Sequence, residues 1–289
     1  MVYALGLGDR LVARSPECDF PAEVQAKPVV SRASVDPGAS SAAIDVAVRA
    51  RLQEGASLYE IDEPVLSRLR PTLILTQALC DVCAPSAGDV REVASRLDPV
   101  PQVLSFDPHD LGEVLAGLDL LGEATGVTTA SREAVLSLQG RLDSVRDRLG
   151  EARPEVICLE WLDPPFTAGH WVPDQVSLAG GREMLTAAGQ PSVQAAWGKV
   201  LEADPEFLLL MPCGMDVERA ERELPSLQRQ KGWKGLRAVR EGKVWLLNGS
   251  AYFNRPGPRV VRGVEILARL LHPESFDSPP DGLDARRLI

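Results

Sequence analysis

The sequence lacks the features of several protein classes. No apolar run approaches the roughly 18–20 residues that a membrane span needs, and Met1 leads directly into Val-Tyr-Ala-Leu-Gly-Leu-Gly without a basic, apolar leader. Positive charge is scarce, because 31 Lys and Arg face 41 Asp and Glu and the net charge is −10. A surface of this sign repels phosphate backbones, so nucleic acid is not an expected partner. The missing leader predicts a cytoplasmic chain with reduced cysteines.

Catalytic and nucleotide-binding motifs are also missing. Neither GxSxG nor GxxxxGK[ST] occurs, and Gly6-Leu-Gly8 lacks the third glycine of a dinucleotide loop. Glu160 and Asp163 form a carboxylate pair near a strand end, but no nucleophile or base accompanies them. The sequence therefore predicts a protein that is not an enzyme and has no catalytic cofactor.

What is present is a globular α/β pattern. The 289 residues are 45% hydrophobic and 25% charged, which fits about two domains of ordinary composition. Short apolar runs alternate with amphipathic runs, and this alternation predicts parallel sheets with helical crossovers. The predicted strands are 11–14, 72–76, 102–106, 156–161, 207–211 and 243–247. Helices are predicted at 40–53, from the four-residue spacing of apolar positions, and at 62–70, where Asp62 is a plausible N-cap.

A long helix, predicted from about residue 128 to 152, divides this pattern into two sets. We expect an N-terminal α/β lobe at 1–126, a linking helix at 127–152, a C-terminal α/β lobe at 153–272 and an extended tail at 273–289. Ligands of open α/β sheets bind beyond the carboxyl ends of the strands. In a two-lobed protein this rule predicts a ligand cleft between the lobes.

The unusual residues follow predicted strands. They are Cys18, Cys80, Cys83, His170, Trp171, Cys213, Tyr252, Phe253 and Arg255. We expect them to face the cleft. Together with Phe166 and Tyr59 they would suit a large, partly flat and partly apolar ligand.

The cysteines and His170 allow several interpretations. Cys80 and Cys83 fit the half-buried start of a helix, a redox pair or disulfide, or metal ligation together with Cys18, Cys213 or His170. Thiolate and imidazole suit soft transition ions, so His170 or a cleft cysteine is also a candidate ligand for a bound metal. Alternatively, His170 is a loop residue that caps the following helix.

Several blocks of this sequence resemble the cobalamin (vitamin B12) substrate-binding proteins of ABC importers, which belong to the class III, iron-siderophore/B12 type. The most specific block is Asp163-Pro-Pro-Phe-Thr-Ala-Gly169, and the resemblance spans about residues 2–271. The other blocks are Gln175-Val, Ala179-Gly-Gly181, Glu17-Cys-Asp-Phe-Pro21, Leu69-Arg-Pro-Thr-Leu-Ile-Leu75, Val200-Leu-Glu-Ala-Asp-Pro205 and Tyr252-Phe-Asn-Arg-Pro-Gly-Pro-Arg259.

The resemblance implies two α/β lobes joined by one long helix and a monomer that binds a corrinoid. It implies that Phe166 places an aromatic ring against the corrinoid, that Tyr59 lies near a second aromatic contact and that Glu17 replaces a third. It also implies that Glu60 or Glu63 engages an ABC permease, whereas the equivalent place in the second lobe reads Trp197-Gly-Lys199.

The resemblance also bears on the start of the chain and on its location. Family members begin with a strand that is missing here, so we expect the first strand of the N-terminal lobe to be absent. By resemblance the protein is periplasmic or attached to the cell envelope, and the cytoplasm is the alternative. The competing functions are an iron-siderophore or haem binder of the same fold and a cytosolic metal-binding protein that uses Cys and His.

Overall fold

The structure is a computed structural model that describes residues 1–77, 79, 85–276 and 278–288. The chain forms two compact units, Met1–Asp107 and Pro108–Ile289. The sequence pattern predicts the lobe boundary later, at residue 126, and the division into lobes stays a prediction. Cys80 and Cys83 lie outside the described residues.

The first unit contains short strands and helices. In chain order these are β1 (Ser31–Ala33), α1 (Ser41–Gln53), β2 (Tyr59–Ile61), α2 (Glu63–Leu69), β3 (Leu73–Thr76), α3 (Ala87–Ser95) and β4 (Gln102–Ser105). Strands β3 and β4 pair in parallel, with Leu73 opposite Gln102. Strands β1 and β2 pair antiparallel, with Arg32 opposite Glu60. This antiparallel pair is a correction to the parallel pattern that the sequence predicts.

The helices of the first unit begin at side chains that cap them. The Oγ of Ser40 accepts from the amide of Ala43 at the start of α1, and the carboxylate of Asp62 accepts from the amide of Val65 at the start of α2. Such caps satisfy amides that have no partner within the helix. The predicted helices at 40–53 and 62–70 are therefore confirmed to within a residue.

The predicted strand at 11–14 is wrong. Arg14 makes only an isolated bridge to Val29, through its amide to the Pro28 carbonyl and its carbonyl to the Val30 amide. Pro16 and Pro28 lack amide hydrogens, so a ladder cannot extend from this bridge in the ordinary way. The Arg14 guanidinium instead donates to the carbonyls of the turn that follows it, including that of Cys18 at 3.3 Å.

The second unit contains one six-stranded sheet and the helices around it. In chain order its elements are α4 (Leu111–Thr125), α5 (Thr128–Arg146), β5 (Glu155–Leu162), β6 (Pro165–Thr167), α6 (Val172–Leu178), β7 (Arg182–Glu183), α7 (Trp197–Ala203), β8 (Phe207–Leu210), α8 (Val217–Gln228), α9 (Arg237–Arg240), β9 (Val244–Leu247), α10 (Gly249–Tyr252), α11 (Val260–Leu271) and β10 (Ala285–Leu288). The strand order is β10-β9-β8-β5-β6, and β7 pairs with β5.

The centre of this sheet agrees with the predicted α/β fold. Strands β5, β8 and β9 are parallel neighbours, and Ile157, Leu159, Leu208 and Leu210 are fully buried. Buried parallel strands are continuous apolar runs, which is why the sequence pattern identifies them. The long helix α5 ends at Arg146, earlier than predicted, and packs against α4, α6 and α11 within this unit.

Both ends of the sheet differ from the prediction of a purely parallel sheet. Strand β6 returns antiparallel along β5, and β10 pairs antiparallel with β9, with Ala285 opposite Leu247. The predicted extended tail therefore contains a strand. The Arg286 side chain forms an ion pair with Glu221 at 2.6 Å and helps to anchor this strand on the unit.

Candidate functional site

The Pro-Pro-Phe-Thr-Ala-Gly block builds a ribbon on the second unit. We use the name β6 ribbon for residues 165–170 and 189–195, which are linked by backbone hydrogen bonds. The amide of Thr167 donates to the carbonyl of Val193 at 2.9 Å, and that of Ala195 to the carbonyl of Pro165 at 2.8 Å. A Cβ at Gly169 would overlap the amide nitrogen of Ser192 and lie 2.7 Å from the carbonyl oxygen of Gln190. Glycine at this position therefore permits the two backbones to approach.

A pocket of about 440 Å³ lies at the 184–193 side of the ribbon. It is lined by Met184, Leu185, Thr186, Ala187, Gln190, Pro191 and Val193. The lining combines five apolar side chains with one hydroxyl and one amide.

Glu183 holds one wall of this pocket. Its carboxylate accepts from the amides of Cys158 at 3.0 Å, Met184 at 3.2 Å and Leu185 at 3.1 Å. Burial raises the pKa of Glu183 to about 7, although the three amides act in the opposite direction. Burial, followed by the charge of Glu183, raises the pKa of the Cys158 thiol well above its usual range. The Glu183 carboxylate thus occupies the edge of β5 at Cys158, between the residues that pair with β7 and those that pair with β6.

Two predicted contacts flank the ribbon. Phe166 is half-buried on β6 beside Gln194. His170 is half-buried with a positive φ of 54°, a conformation that non-glycine residues rarely adopt. It is held there because its amide donates to the Gln190 carbonyl at 2.7 Å and its carbonyl accepts from Gly189 at 3.1 Å. Burial, and then the charge of His109, lowers the pKa of His170.

Trp171 and Phe253, which the sequence analysis proposes as ligand contacts, lie in the interior. Trp171 is 4% exposed and Phe253 is fully buried. The indole nitrogen of Trp171 donates to the Phe253 carbonyl at 2.7 Å, so both rings stabilise the packing of the second unit. The structure gives these two side chains a packing role, and they are not part of the proposed ligand surface.

Tyr252 and Arg255 are more accessible. Both are half-buried. The Tyr252 hydroxyl donates to Oδ1 of Asp284 at 2.6 Å, and the Arg259 guanidinium carbon lies 5.9 Å from the centre of the Tyr252 ring. Burial, followed by the hydrogen bond to Asp284, raises the pKa of Tyr252 to about 12.

Tyr59 lies in the first unit beside a second, smaller pocket. This pocket has a volume of about 230 Å³, and its other lining residues are Ser57, Ile61, Glu63, Asp89, Glu92, Val93 and Arg96. Tyr59 itself is half-buried on β2.

The two glutamates predicted to engage a permease form ion pairs within this unit. Glu60 contacts Arg32 at 2.6 Å across the β1–β2 pair, and Glu63 contacts Arg96 at 2.8 Å. The hydrogen bond from Arg96 lowers the pKa of Glu63. Either carboxylate would therefore already be paired with an arginine of its own unit before it could dock to a permease.

The remaining candidates are dispersed. Glu17 is half-buried, and the exposed Cys18 has its Sγ 3.3 Å from Oγ of Ser15. Cys213 is half-buried, and its amide donates to the Glu160 carbonyl at 2.8 Å. Within residues 1–77, 79, 85–276 and 278–288, no group of three or more His, Cys, Asp or Glu side chains is arranged to hold a metal ion.

Sequence reasoning missed the pocket lining at 184–193. This segment has neither a helical nor a strand pattern. Its start is held by the Glu183 carboxylate, which accepts from the amides of Met184 and Leu185, and residues 190 and 193 pair with residues 170 and 167 inside the β6 ribbon. Glycine and proline at 189 and 191 were the available signals, since both punctuate loops.

Solved structures share the α/β fold of this chain. A periplasmic haem-binding protein from Pseudomonas aeruginosa superposes with a TM-score of 0.70 at 20% identity, covering 99% of this chain and 94% of the other. The periplasmic vitamin B12-binding protein of Vibrio cholerae gives a TM-score of 0.67 at 20% identity, covering 96% and 93%. At such identities these likenesses show the fold alone.

The chain belongs to the periplasmic binding protein family, whose model matches residues 1–251. Among relatives, the vitamin B12-binding protein of Vibrio cholerae is 22% identical over 275 residues, which is 94% of this chain and 84% of the relative. An uncharacterized ABC transporter substrate-binding lipoprotein of Bacillus subtilis is 22% identical over 282 residues, which is 96% of this chain and 77% of the relative. The family consists of solute-binding proteins that act with ABC permeases.

No helix within the described part of the chain combines the length and the apolar character needed to cross a membrane.

Proposed function

We propose that this protein captures cobalamin or a related corrinoid for delivery to an ABC permease. The observation that carries the proposal is the half-exposed ring of Phe166 on the β6 ribbon, next to the segment that lines the 440 Å³ pocket. The B12-binding relatives, which match 93–94% of this chain, support the choice of ligand.

The chemistry of this surface suits a corrinoid. An aromatic ring stacks on a flat macrocycle, and Met184, Leu185 and Val193 supply apolar contacts beside it. The Thr186 hydroxyl donates to the Ala168 carbonyl at 3.0 Å and can accept a hydrogen bond from an amide arm of a corrinoid, and the Gln190 side chain can donate or accept one. The ligand-contact set of the proposal is Glu17, Cys18, Tyr59, Phe166, His170, Tyr252 and Arg255.

A haem or a ferric siderophore is the second candidate. The solved neighbours include haem-binding proteins and a component of an Fe3+-hydroxamate transport system. The half-buried imidazole of His170 could ligate haem iron as readily as cobalt. The surplus of acidic over basic residues disfavours an anionic ferric complex.

Calorimetric titration with cyanocobalamin, cobinamide, haemin and a ferric hydroxamate tests the choice between ligands. We expect the corrinoids to bind more tightly than the ferric hydroxamate, because the hydroxamate complex offers no flat macrocycle to the Phe166 ring. Binding of haemin with failure of both corrinoids would replace the proposal with haem binding. The visible spectrum of bound aquocobalamin in the wild type and in His170→Ala then tests cobalt ligation, because identical spectra would exclude His170 as a ligand.

Substitution of Phe166 tests the site. Phe166→Ala removes the stacking surface, so we expect corrinoid affinity to fall by about tenfold while the fold is retained. Phe276→Ala is the matched control, because Phe276 is also half-buried in the second unit but packs on the Arg148 guanidinium at 4.5 Å. Equal affinities of the two variants would contradict a ligand-contacting role for Phe166.

Docking to a permease and location in the cell envelope form part of the same proposal. The family is described as periplasmic and one relative is named a lipoprotein, which supports this location. Glu63 is the preferred docking residue because α2 presents it with a charged carboxylate. Cell fractionation tests the location. Pull-down of the permease with the wild type and with Glu63→Gln tests docking. The metal role of Cys80 and Cys83 stays a prediction.

A further inference from the structure

The C-terminal segment lies beyond the residues that match the family model, and it contacts Tyr252 of the proposed ligand surface. The family model ends at residue 251, whereas β10 lies at Ala285–Leu288. The residue that precedes β10 is Asp284, which is only 8% exposed. Its carbonyl accepts from the amide of Asn248 at 3.0 Å, at the start of α10. The segment therefore continues the β9–β10 pairing up to the turn that carries Tyr252.

Both oxygens of the Asp284 carboxylate have donors. Oδ1 accepts from the Tyr252 hydroxyl at 2.6 Å, and Oδ2 accepts from the Arg262 guanidinium at 2.9 Å. Arg262 also contacts Glu265 at 3.3 Å, and Glu265 contacts Arg141 of α5 at 2.7 Å. A charged network thus connects Tyr252 through the tail to α11 and α5. Hydrogen bonds to charged groups in such partly buried networks are stronger than neutral ones.

The turn at 249–255 is held from the other side by neutral hydrogen bonds. The Gln175 side-chain amide donates to the Tyr252 carbonyl at 3.0 Å and to the Val260 carbonyl at 2.7 Å. A Cβ at Gly263 would lie 2.7 Å from the Tyr252 carbonyl oxygen, so glycine there allows α11 to approach the turn. The backbone of Tyr252 is thus fixed by the interior, and its hydroxyl is fixed by Asp284.

We propose that Asp284 is a positioning residue that orients Tyr252, and with it the turn leading to Arg255, for ligand contact. The inference rests on the proposed function. Because the hydroxyl is committed to Asp284, Tyr252 contacts a ligand through its ring and not through a hydrogen bond from its oxygen. Loss of the Asp284 carboxylate frees the ring to rotate and weakens binding without removing any atom that touches the ligand.

Four variants test this role. Asp284→Asn and Asp284→Ala remove the charged acceptor, Tyr252→Phe removes the donor, and Asp284→Glu keeps a carboxylate as the conservative rescue. Glu221→Gln is the matched control, because it breaks the Arg286 ion pair of the same tail and leaves Tyr252 untouched. Corrinoid and haemin affinities are measured by calorimetry, and folding is monitored by circular dichroism.

A local spectroscopic readout separates positioning from general loosening. The chain has three tyrosines, so 13Cζ-labelled tyrosine gives three resolvable signals. In the wild type the signal of Tyr252 should titrate near its raised pKa of about 12, and in Asp284→Asn at a lower pH. The same titration in Glu221→Gln should match the wild type.

We expect a loss of affinity of about tenfold in Asp284→Asn, Asp284→Ala and Tyr252→Phe, with recovery in Asp284→Glu and no change in Glu221→Gln. Wild-type affinity in both Asp284→Asn and Tyr252→Phe would overturn the positioning role while leaving the proposed function intact. Failure of the wild type to bind any corrinoid or haemin would overturn the proposed function, and the role of Asp284 with it.

Discussion

The Glu183 carboxylate should make the stability of the second unit depend on pH around neutrality. It accepts three backbone amides on the edge of β5, yet burial raises its pKa from the ordinary 4.5 to about 7. A carboxyl whose pKa is higher in the folded than in the unfolded state binds its proton more tightly when folded. Its stabilising effect is therefore complete below about pH 4.5 and is lost as the pH rises through about 7.

The magnitude follows from this difference. One pKa unit corresponds to about 1.4 kcal/mol, so a rise in the pKa of Glu183 from 4.5 to about 7 changes the free energy of unfolding by about 3 kcal/mol between fully protonated and fully ionised Glu183. The Glu183 side chain keeps some contact with solvent. We therefore expect the contribution of Glu183 to the free energy of unfolding to be about 2 kcal/mol larger at pH 5 than at pH 8.

Glu183→Gln removes the titration, and urea unfolding from pH 5 to 8 measures it. All five tryptophans lie at or after residue 161, so their fluorescence reports the second unit. On going from pH 8 to pH 5 the wild type should gain about 2 kcal/mol more than the variant. Glu202→Gln is the control, because Glu202 is an exposed carboxylate of α7 paired with Lys199. Parallel pH profiles for wild type and Glu183→Gln would refute the reasoning.

Two further substitutions test the structure. Gly169→Ala should destabilise the second unit by about 2 kcal/mol or more, because the added methyl overlaps the backbone at Ser192. The control Gly140→Ala lies in α5, where the methyl meets open space, and should stabilise by up to about 1 kcal/mol. Thermal unfolding compares the two variants, and equal midpoints would contradict the β6 ribbon. Glu60→Gln should change the free energy of unfolding by no more than about 0.5 kcal/mol in urea titration, because its pair with Arg32 is exposed, and a loss above 1 kcal/mol would argue against that exposure.

The sequence predicted elements whose signal is local. Helices α1 and α2 were predicted because capping residues precede apolar positions at helical spacing, and β5, β8 and β9 because buried parallel strands are uninterrupted apolar runs. Strands β6 and β10 were not predicted, because a three-residue strand has no measurable period and Ala-Arg-Arg-Leu reads as a polar tail. Strand β6 turns back on the neighbouring β5, and β10 pairs with the edge of β9, which lies far from it in the sequence.

The candidate site was predicted in part. The block that ends in Gly169 was identified as the most specific feature, and the structure explains it by the close backbone approach at Gln190 and Ser192. Trp171 and Phe253 were expected to face a ligand because they follow strands, but a large ring after a strand can equally turn inward, as the burial of both residues shows. Their order along the chain carries no information about which of these happens.

Strand β10 also has a consequence for how the protein is handled. It covers the edge of β9, whose sequence Val-Trp-Leu-Leu would otherwise offer unpaired amides and carbonyls to another chain. A fragment that stops before β10 would therefore leave this edge open to pairing with a second copy of the chain, and we expect such a fragment to self-associate.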